Sequence, residues 1–167
     1  MDQKQSANEN IAKVAKLIKG IRFAMMTTVA PDGSLHSRPM AAQEQDFDGD
    51  LWFFTGKDTV KVDEIEADSR VNLAFADPDD NRYVSISGKA RLVTDRAKIH
   101  ELWSPALKAW FPEGKDDPNI VLVNVDPEIA QYWDSPSSKL VELAGFAKAL
   151  VTGERVKEAG DSGTVKL

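Results

Sequence analysis

The sequence predicts a mainly β fold: a small antiparallel β-barrel carrying α-helices. Three observations lead there. Between residues 21 and 93 lie strand-like runs of five to twelve residues, several of them, such as "IRFAMMTTVA" and "RVNLAFA", with apolar residues at every second position. Short turn-forming clusters, "PDGS", "DFDGD" and "DPDDN", separate most of these runs. Such turns join neighbouring strands antiparallel, whereas a parallel sheet needs a helical crossover between them. Six or seven short strands with helical excursions suit a small barrel better than a doubly wound sheet.

The elements follow in order. "SANE" at Ser6–Glu9 has the form of a capping box. Ile11, Val14, Ala15 and Ile18 continue at helical spacing and Gly20 ends the pattern, which predicts a helix over 7–19. "IRFAMMTTVA" alternates through Ile21, Phe23, Met25, Thr27 and Val29. "LHSRPMAAQ", residues 35–43, answers it as the return strand of a hairpin. "LWFFT" at 51–55 is a third strand. "KDTVKVDEIEAD" predicts a short helix, with Asp58 or Thr59 at its N-cap and Val62 and Ile65 as its apolar stripe.

"RVNLAFA" at 70–76 and "RYVSISGKARLV" at 82–93 are the next strands, with a bulge or corner expected at Gly88. Residues 95–111 read as helix from an Asp95 cap, with a break before Pro105. "IVLVNV" and "IAQYWD" read as two further strands, "SSKLVELAGFAKAL" as a last helix, and the stretch from Gly160 as a loose tail. All 167 residues are expected to form one domain, with its core over about 10–150.

Composition narrows the function. The net charge is −6, which argues against general binding to nucleic acid or anionic membrane. The chain has no cysteine, so disulfides, thiolate metal sites and thiol nucleophiles are excluded. Two histidines, His36 and His100, make a poor transition-metal set, and no metal is expected. The clustered carboxylates of "DFDGD" and "DPDDN" lack the spacing of a calcium loop and read as solvated turns. The polar start is not that of a signal peptide, and no apolar run reaches the ~20 residues of a membrane helix. The expected location is cytoplasmic.

No serine-triad, Walker or dinucleotide-binding motif occurs. What the sequence does offer is a set of cations near strand ends. Arg38 lies inside a strand, directly before Pro39. Proline cannot donate to a ladder, so this strand should be an edge or interrupted. His36, Arg38 and Met40 share one face by the period of two. Lys57 and Lys61 flank a helix start that contains Thr59, a good seat for a phosphate; solvated lysines beside an ordinary cap are the plainer alternative. Trp103 and Trp110, seven positions apart near one face of the same expected helix, suggest a flat ligand or a dimer surface, with core or interface packing as the plainer alternative.

Three blocks in this order and spacing, "FAMMTTVAPDGSLHSRPM", "GDLWFFTGKDTVKVDEIEADSRVNLAFADP" and "YVSISGKARLV", resemble the pyridoxamine-phosphate-oxidase-like split barrels that bind FMN. "ELWSPALKAWFPEGKDDPN" with "IAQYWD" is similar to the general stress protein 26 branch. The resemblance covers residues from about 10 to 150. It implies a six-stranded antiparallel split barrel with N-terminal and C-terminal helices. It also implies a homodimer with FMN, or alternatively FAD, at the subunit interface. By the same resemblance Arg38 meets the flavin phosphate, with Thr59, Val60 and Lys61 beside it. Pro39, Met40, Ala41, Ala42 and Gln43 line the ring, and Phe54 and Thr55 end the third strand next to it. Tyr83 reaches the partner's flavin, and Trp103 and Trp110 are further candidates for the flat ring. His36 is a candidate for proton transfer.

The resemblance implies a flavin-dependent oxidoreductase, with a flavin carrier or sensor as the alternative. A related cofactor, deazaflavin or haem, also stays open. Two departures speak against oxidation of pyridoxamine phosphate. Val60 stands where the oxidases often have a second phosphate arginine. "DSPSSKL" after "QYW" lacks the arginine and histidine that grip the substrate's phosphate.

Overall fold

The structure is a computed structural model, and it describes residues 3–43, 46–135, 139–153 and 160–167. Its elements are α1 (Gln3–Ile18), β1 (Phe23–Val29), β2 (Leu35–Ala41), β3 (Leu51–Gly56), α2 (Val60–Ala67), β4 (Arg70–Asp77), β5 (Arg82–Val93), α3 (Arg96–Leu102), a 3-10 turn (Pro105–Ala109), β6 (Ile120–Asp134), α4 (Lys139–Thr152) and β7 (Asp161–Lys166). All strand pairs are antiparallel, in the order β2-β1-β4-β5-β6-β3, with β7 added to β6. The two ends of this path, β2 and β3, approach each other without pairing. The barrel is therefore split, and the split lies beside Arg38.

One side of the sheet and α1 enclose the main core. Ala24 and Met26 of β1, Phe53 of β3, Leu73 and Phe75 of β4, Val84 and Ile86 of β5, and Val123 and Val125 of β6 meet Val14 and Leu17 of α1 there. A satellite core lies on the other side of β3 and β6. Ile120 and Leu122 pack with Ile99 and Leu102 of α3, flanked by Trp52, Phe54, Trp103 and Phe111. The first half of β6 is thus buried on both faces, which explains its unbroken apolar run.

The sequence reading needs correcting at five places. The first helix begins at Gln3, so Ser6 sits inside it and is not its N-cap. "IVLVNV" and "IAQYWD" are one strand of 15 residues, because Asp126 and Pro127 stay paired with Lys89 and Gly88 and only Glu128 is skipped, as a bulge, before Ile129 meets Ser87. The helix expected over 95–111 stops at Leu102; Asp95 does cap it, accepting from the Ala97 N–H at 3.0 Å, but a 3-10 turn follows Pro105. Trp103 and Trp110 therefore do not share a helix face: each is the C-cap of a different segment. Finally, residues 161–166, expected as a loose tail, are strand β7. Lys13 of α1 fastens its start, donating to Asp161 and to the Tyr132 hydroxyl at 2.7 Å each. The expected beginning of the last helix, Ser137 and Ser138, lies outside the described residues.

The alternation in β1 has a phase with a consequence. Ala24, Met26 and Thr28 point inward, while Phe23 and Met25 stay 52% and 43% exposed. Tyr83, Ile129 and Trp133 are exposed on the same side of β5 and β6, where Tyr83 opposes Trp133 and Ser87 opposes Ile129. An apolar sheet face is thus uncovered within this chain.

Gly88 is required by the bulge. A Cβ there would lie 2.2 Å from the Asp126 carbonyl and 2.9 Å from Pro127 Cα, both backbone atoms that cannot swing away. Gly88→Ala should therefore destabilise the fold by about 3 kcal/mol, as overpacking of a rigid site does. Chemical denaturation of the two proteins checks this, and equal midpoints would contradict it.

Candidate functional site

The site forms where the split in the barrel is bridged by α2. Four segments meet there: β1 gives Thr28, β2 gives His36 and Arg38, the end of β3 gives Thr55, and α2 with its entering turn gives Thr59, Lys61 and Glu64. As the period of two required, His36 and Arg38 project to one face and both reach Glu64. β2 ends the sheet path and pairs only with β1, with Pro39 opposite Met25. The proline is thus accommodated on an edge strand, as expected.

Glu64 is the centre of this cluster. It is 2% exposed, and it is the only charged side chain that deeply buried among the described residues. Its Oε2 accepts from Arg38 Nη2 at 3.0 Å and from the buried hydroxyl of Thr28. Its Oε1 accepts from His36 Nδ1 at 2.6 Å. The hydrogen bonds from Thr28, His36 and Arg38 hold the carboxyl below the ordinary carboxylate value, against burial, which acts the other way. Arg38 is held equally firmly. Its Nη1 donates to Thr28 Oγ1 at 2.6 Å and to the Met26 carbonyl at 3.3 Å.

The second cation is Lys61. Its ammonium donates to Thr55 Oγ1 at 2.9 Å. Burial lowers its pKa, and the charge of nearby Arg38 lowers it further; Asp58 opposes this weakly. Two cations that repel each other in a half-buried place gain when an anion arrives between them. The start of α2 adds to this field. Thr59 stands at its N-cap, but its hydroxyl donates to the Gly56 carbonyl at 2.9 Å and makes no cap bond to the helix. Asp58, the other expected cap, accepts instead from Asn119 at 3.0 Å. Among the described residues no side chain caps the first N–H groups of α2, so its positive end is open toward a ligand.

The structure brings together Arg38, Thr55, Thr59 and Lys61 from the sequence-based set, with Val60 exposed at the mouth. Pro39 stays exposed, Ala41, Ala42 and Gln43 are half-buried at the end of β2, and the Met40 side chain goes into the main core. Phe54 points to the opposite side of β3 from Thr55. It packs on Trp103 edge-to-face at 5.9 Å and on Phe111 at 6.3 Å, so for Phe54 and Trp103 the core reading describes the packing. Trp110 is exposed nearby, and Tyr83 lies on the open sheet face. His36 directs Nδ1 to Glu64, and its other nitrogen contacts Ser34 Oγ at 3.4 Å.

Sequence reasoning missed Thr28 and Glu64. A signal for Glu64 existed: it lies three positions after Lys61, hence on the same helix face.

Apart from this cluster, a cavity of about 360 Å³ is lined by Asn81, Tyr83, Trp133, Ser135, Gly160, Asp161 and Ser162. It lies away from Arg38, at the far end of β5 and β6.

Comparison with known proteins agrees with the geometry. Residues 9–157 match the family described as pyridoxamine 5'-phosphate oxidase like. The chain belongs to this family. General stress protein 26 of Bacillus subtilis is 31% identical over 136 residues, covering 78% of this chain and 93% of that protein. The crystal structure of the general stress FMN/FAD binding protein from Xanthomonas citri superposes with a TM-score of 0.67 at 39% identity, over 78% of this chain and 92% of that one. The General Stress Protein 26 structure from Bacillus anthracis gives 0.63 at 28% identity, over 75% and 92%. The family's split barrel is the fold seen here. No helix among the described residues is long and apolar enough to cross a membrane.

The depressed pKa of Glu64 has a sign that can be checked. A carboxyl lowered on folding contributes stability that is complete above its ordinary value of 4.5 and is lost as pH falls through the lower folded value. Wild-type stability should therefore fall more steeply below pH 4.5 than that of Glu64→Gln, and the two curves should converge in acid. Parallel curves from pH 6 down to pH 3, taken by denaturant titration at about half-unit steps, would show that Glu64 is not held ionised in the fold.

Proposed function

We propose that this chain is a flavin-dependent oxidoreductase that binds FMN at the split of its barrel and works as a homodimer. The observation that carries the flavin reading is the Arg38–Lys61 pair. The two cations lie close enough for Arg38 to depress the Lys61 pKa, beside a helix start without a side-chain cap. A phosphate monoester fits these residues: its oxygens would be held by Arg38, Lys61, the Thr59 hydroxyl and the first N–H groups of α2. The half-buried strand end from Ala41 to Gln43 offers small and polar residues along the adjoining wall. The flavin-binding name of the Xanthomonas relative supports the same choice. FAD remains the second candidate on that name.

When bound, flavin supplies hydride and electron transfer; the chain's part is to hold it and exclude water from one side. Arg38 and Lys61 neutralise the phosphate. Thr55 orients the Lys61 ammonium. His36 is tied to Glu64 and acts first through the cation cluster rather than as a free proton donor. That commitment favours the carrier reading as the alternative, because His36 is engaged by Glu64 and Lys61 is assigned to the phosphate. Oxidation of pyridoxamine phosphate is not proposed, since Val60 is exposed and uncharged where a second phosphate arginine would stand.

The homodimer is supported by the uncovered sheet face. Phe23, Met25, Tyr83, Ile129 and Trp133 expose between 40% and 52% of their surface on it, and grouped apolar and aromatic exposure of this kind is what an interface core offers. A second copy of the chain is the proposed cover.

Titration with FMN and riboflavin tests both parts. Each charged hydrogen bond to the phosphate contributes roughly 1.5–3 kcal/mol, so Arg38→Ala with Lys61→Ala should weaken FMN by about a hundredfold or more. Riboflavin, which lacks the phosphate, should be affected little. Equal losses for the two ligands would overturn the phosphate assignment. Sedimentation of the FMN-bound wild type should give the mass of two chains, and a single-chain mass would overturn the dimer.

A further inference from the structure

Glu64 poses a problem that the phosphate reading does not solve. A buried carboxylate next to an anion site repels the very ligand the site is to hold, and burying it is costly in itself. Its position must therefore give something in return.

The guanidinium of Arg38 shows what that is. Arginine has five N–H donors arranged in a plane. The end formed by Nη1 and Nη2 is fully engaged: Nη1 donates to Thr28 Oγ1 and the Met26 carbonyl, and Nη2 donates once to Glu64 Oε2. The lateral edge, Nε–H with the second N–H of Nη2, has no hydrogen-bond partner among the described residues. That edge is the one that meets two oxygens of a phosphate side by side.

The carboxylate cannot turn away, because each oxygen is fixed. His36 Nδ1 donates to Oε1 at 2.6 Å, and Thr28 donates to Oε2. These contacts tie α2, the helix that bridges the split, to β1 and β2, so the cluster also sets where the helix stands against that edge.

We propose that Glu64, held by His36 and Thr28, is the positioning residue that fixes Arg38 with its Nε–Nη2 edge open, and so makes the site selective for a phosphate-bearing flavin over riboflavin. The proposal rests on the reading that this site takes the flavin phosphate. Glu64 touches no ligand. It acts by sparing Arg38 the cost of being ordered when the anion binds, which is the advantage of preorganisation.

The test uses the full chain and measures dissociation constants of FMN and riboflavin for the wild type, Glu64→Ala, Glu64→Gln and Thr28→Val. The quantity of interest is the ratio of the riboflavin constant to the FMN constant. Ordering one long side chain on binding corresponds to about a tenfold loss, so Glu64→Ala should lower the ratio by about that factor. Riboflavin binding itself should hold steady. Glu64→Gln keeps an acceptor for Arg38 and removes the repelling charge, so its ratio should equal or exceed that of the wild type. A purely structural role would weaken both ligands together and leave the ratio unchanged; a purely electrostatic role would give Ala and Gln the same raised ratio. Either result overturns the proposal.

If Glu64→Ala does not fold, Thr28→Val is decisive. It is nearly isosteric, removes one bond from Arg38 and one from Glu64, and should lower the ratio; an unchanged ratio overturns the proposal. A wild type that binds FMN no better than riboflavin removes the phosphate reading as well. Discrimination by the wild type that survives in every variant removes the positioning role alone.

Discussion

The buried carboxylate of Glu64 is the constraint on which the rest of this site depends. It joins α2, the helix that bridges the split between the two ends of the sheet, to β1 and β2 through Arg38, His36 and Thr28. Taking a carboxylate and a guanidinium out of water costs several kcal/mol each. That cost is offset only because both Glu64 oxygens and three of the Arg38 donors find partners. Remove Arg38 and the carboxylate of Glu64, 2% exposed, is left buried without its charge partner, at a cost of about 3–5 kcal/mol. The pair therefore specifies geometry more than it adds stability. It fixes where Arg38 stands, and Arg38 faces Lys61.

From that constraint the functional geometry follows. A barrel left open between β2 and β3 exposes strand ends that a closed barrel would pair. Here the gap is bridged by α2, whose Lys61 and Glu64 lie on one face. One is drawn toward Thr55 and the other toward Arg38. The outcome is a cationic corner with a free guanidinium edge and an uncapped helix start. Behind it, the main core holds the strands rigid through Phe53, Met26 and Leu73, all 1% exposed or less. The apolar face on the other side of the sheet is left exposed among the described residues.

The sequence was most informative where a local rule had no competitor. The period of two put His36 and Arg38 on one face, and Pro39 required an edge strand; both hold. Asp95 capped its helix, and Gly88 marked a bulge that no other residue could occupy. It was least informative where a distant contact decides. "SANE" has the letters of a capping box, but the helix continues to Gln3. Asp126-Pro127 looks like a strand end, yet the bulge at Gly88 absorbs it. β7 has little apolar pattern of its own and exists through its ladder with β6 and the Lys13–Asp161 contact. In the site, Arg38, Thr59 and Lys61 were legible from a strand and a helix start, and Thr55 came only with the family resemblance. Glu64 was not, because an acid in "VDEIEAD" reads as solvated surface until β2 is known to pass beside it. Phe54 was placed by its neighbour in sequence, while its side chain belongs to the other face of the strand.

The central claim is that the split between β2 and β3 holds a flavin by its phosphate. The most direct measurement is a crystal structure of the protein with FMN. The account predicts the phosphate within hydrogen-bond distance of Arg38 Nε and Lys61 Nζ, with Glu64 still on the far end of the guanidinium. A phosphate found elsewhere, for example in the cavity lined by Tyr83 and Trp133, with Arg38 and Lys61 unengaged, would contradict it.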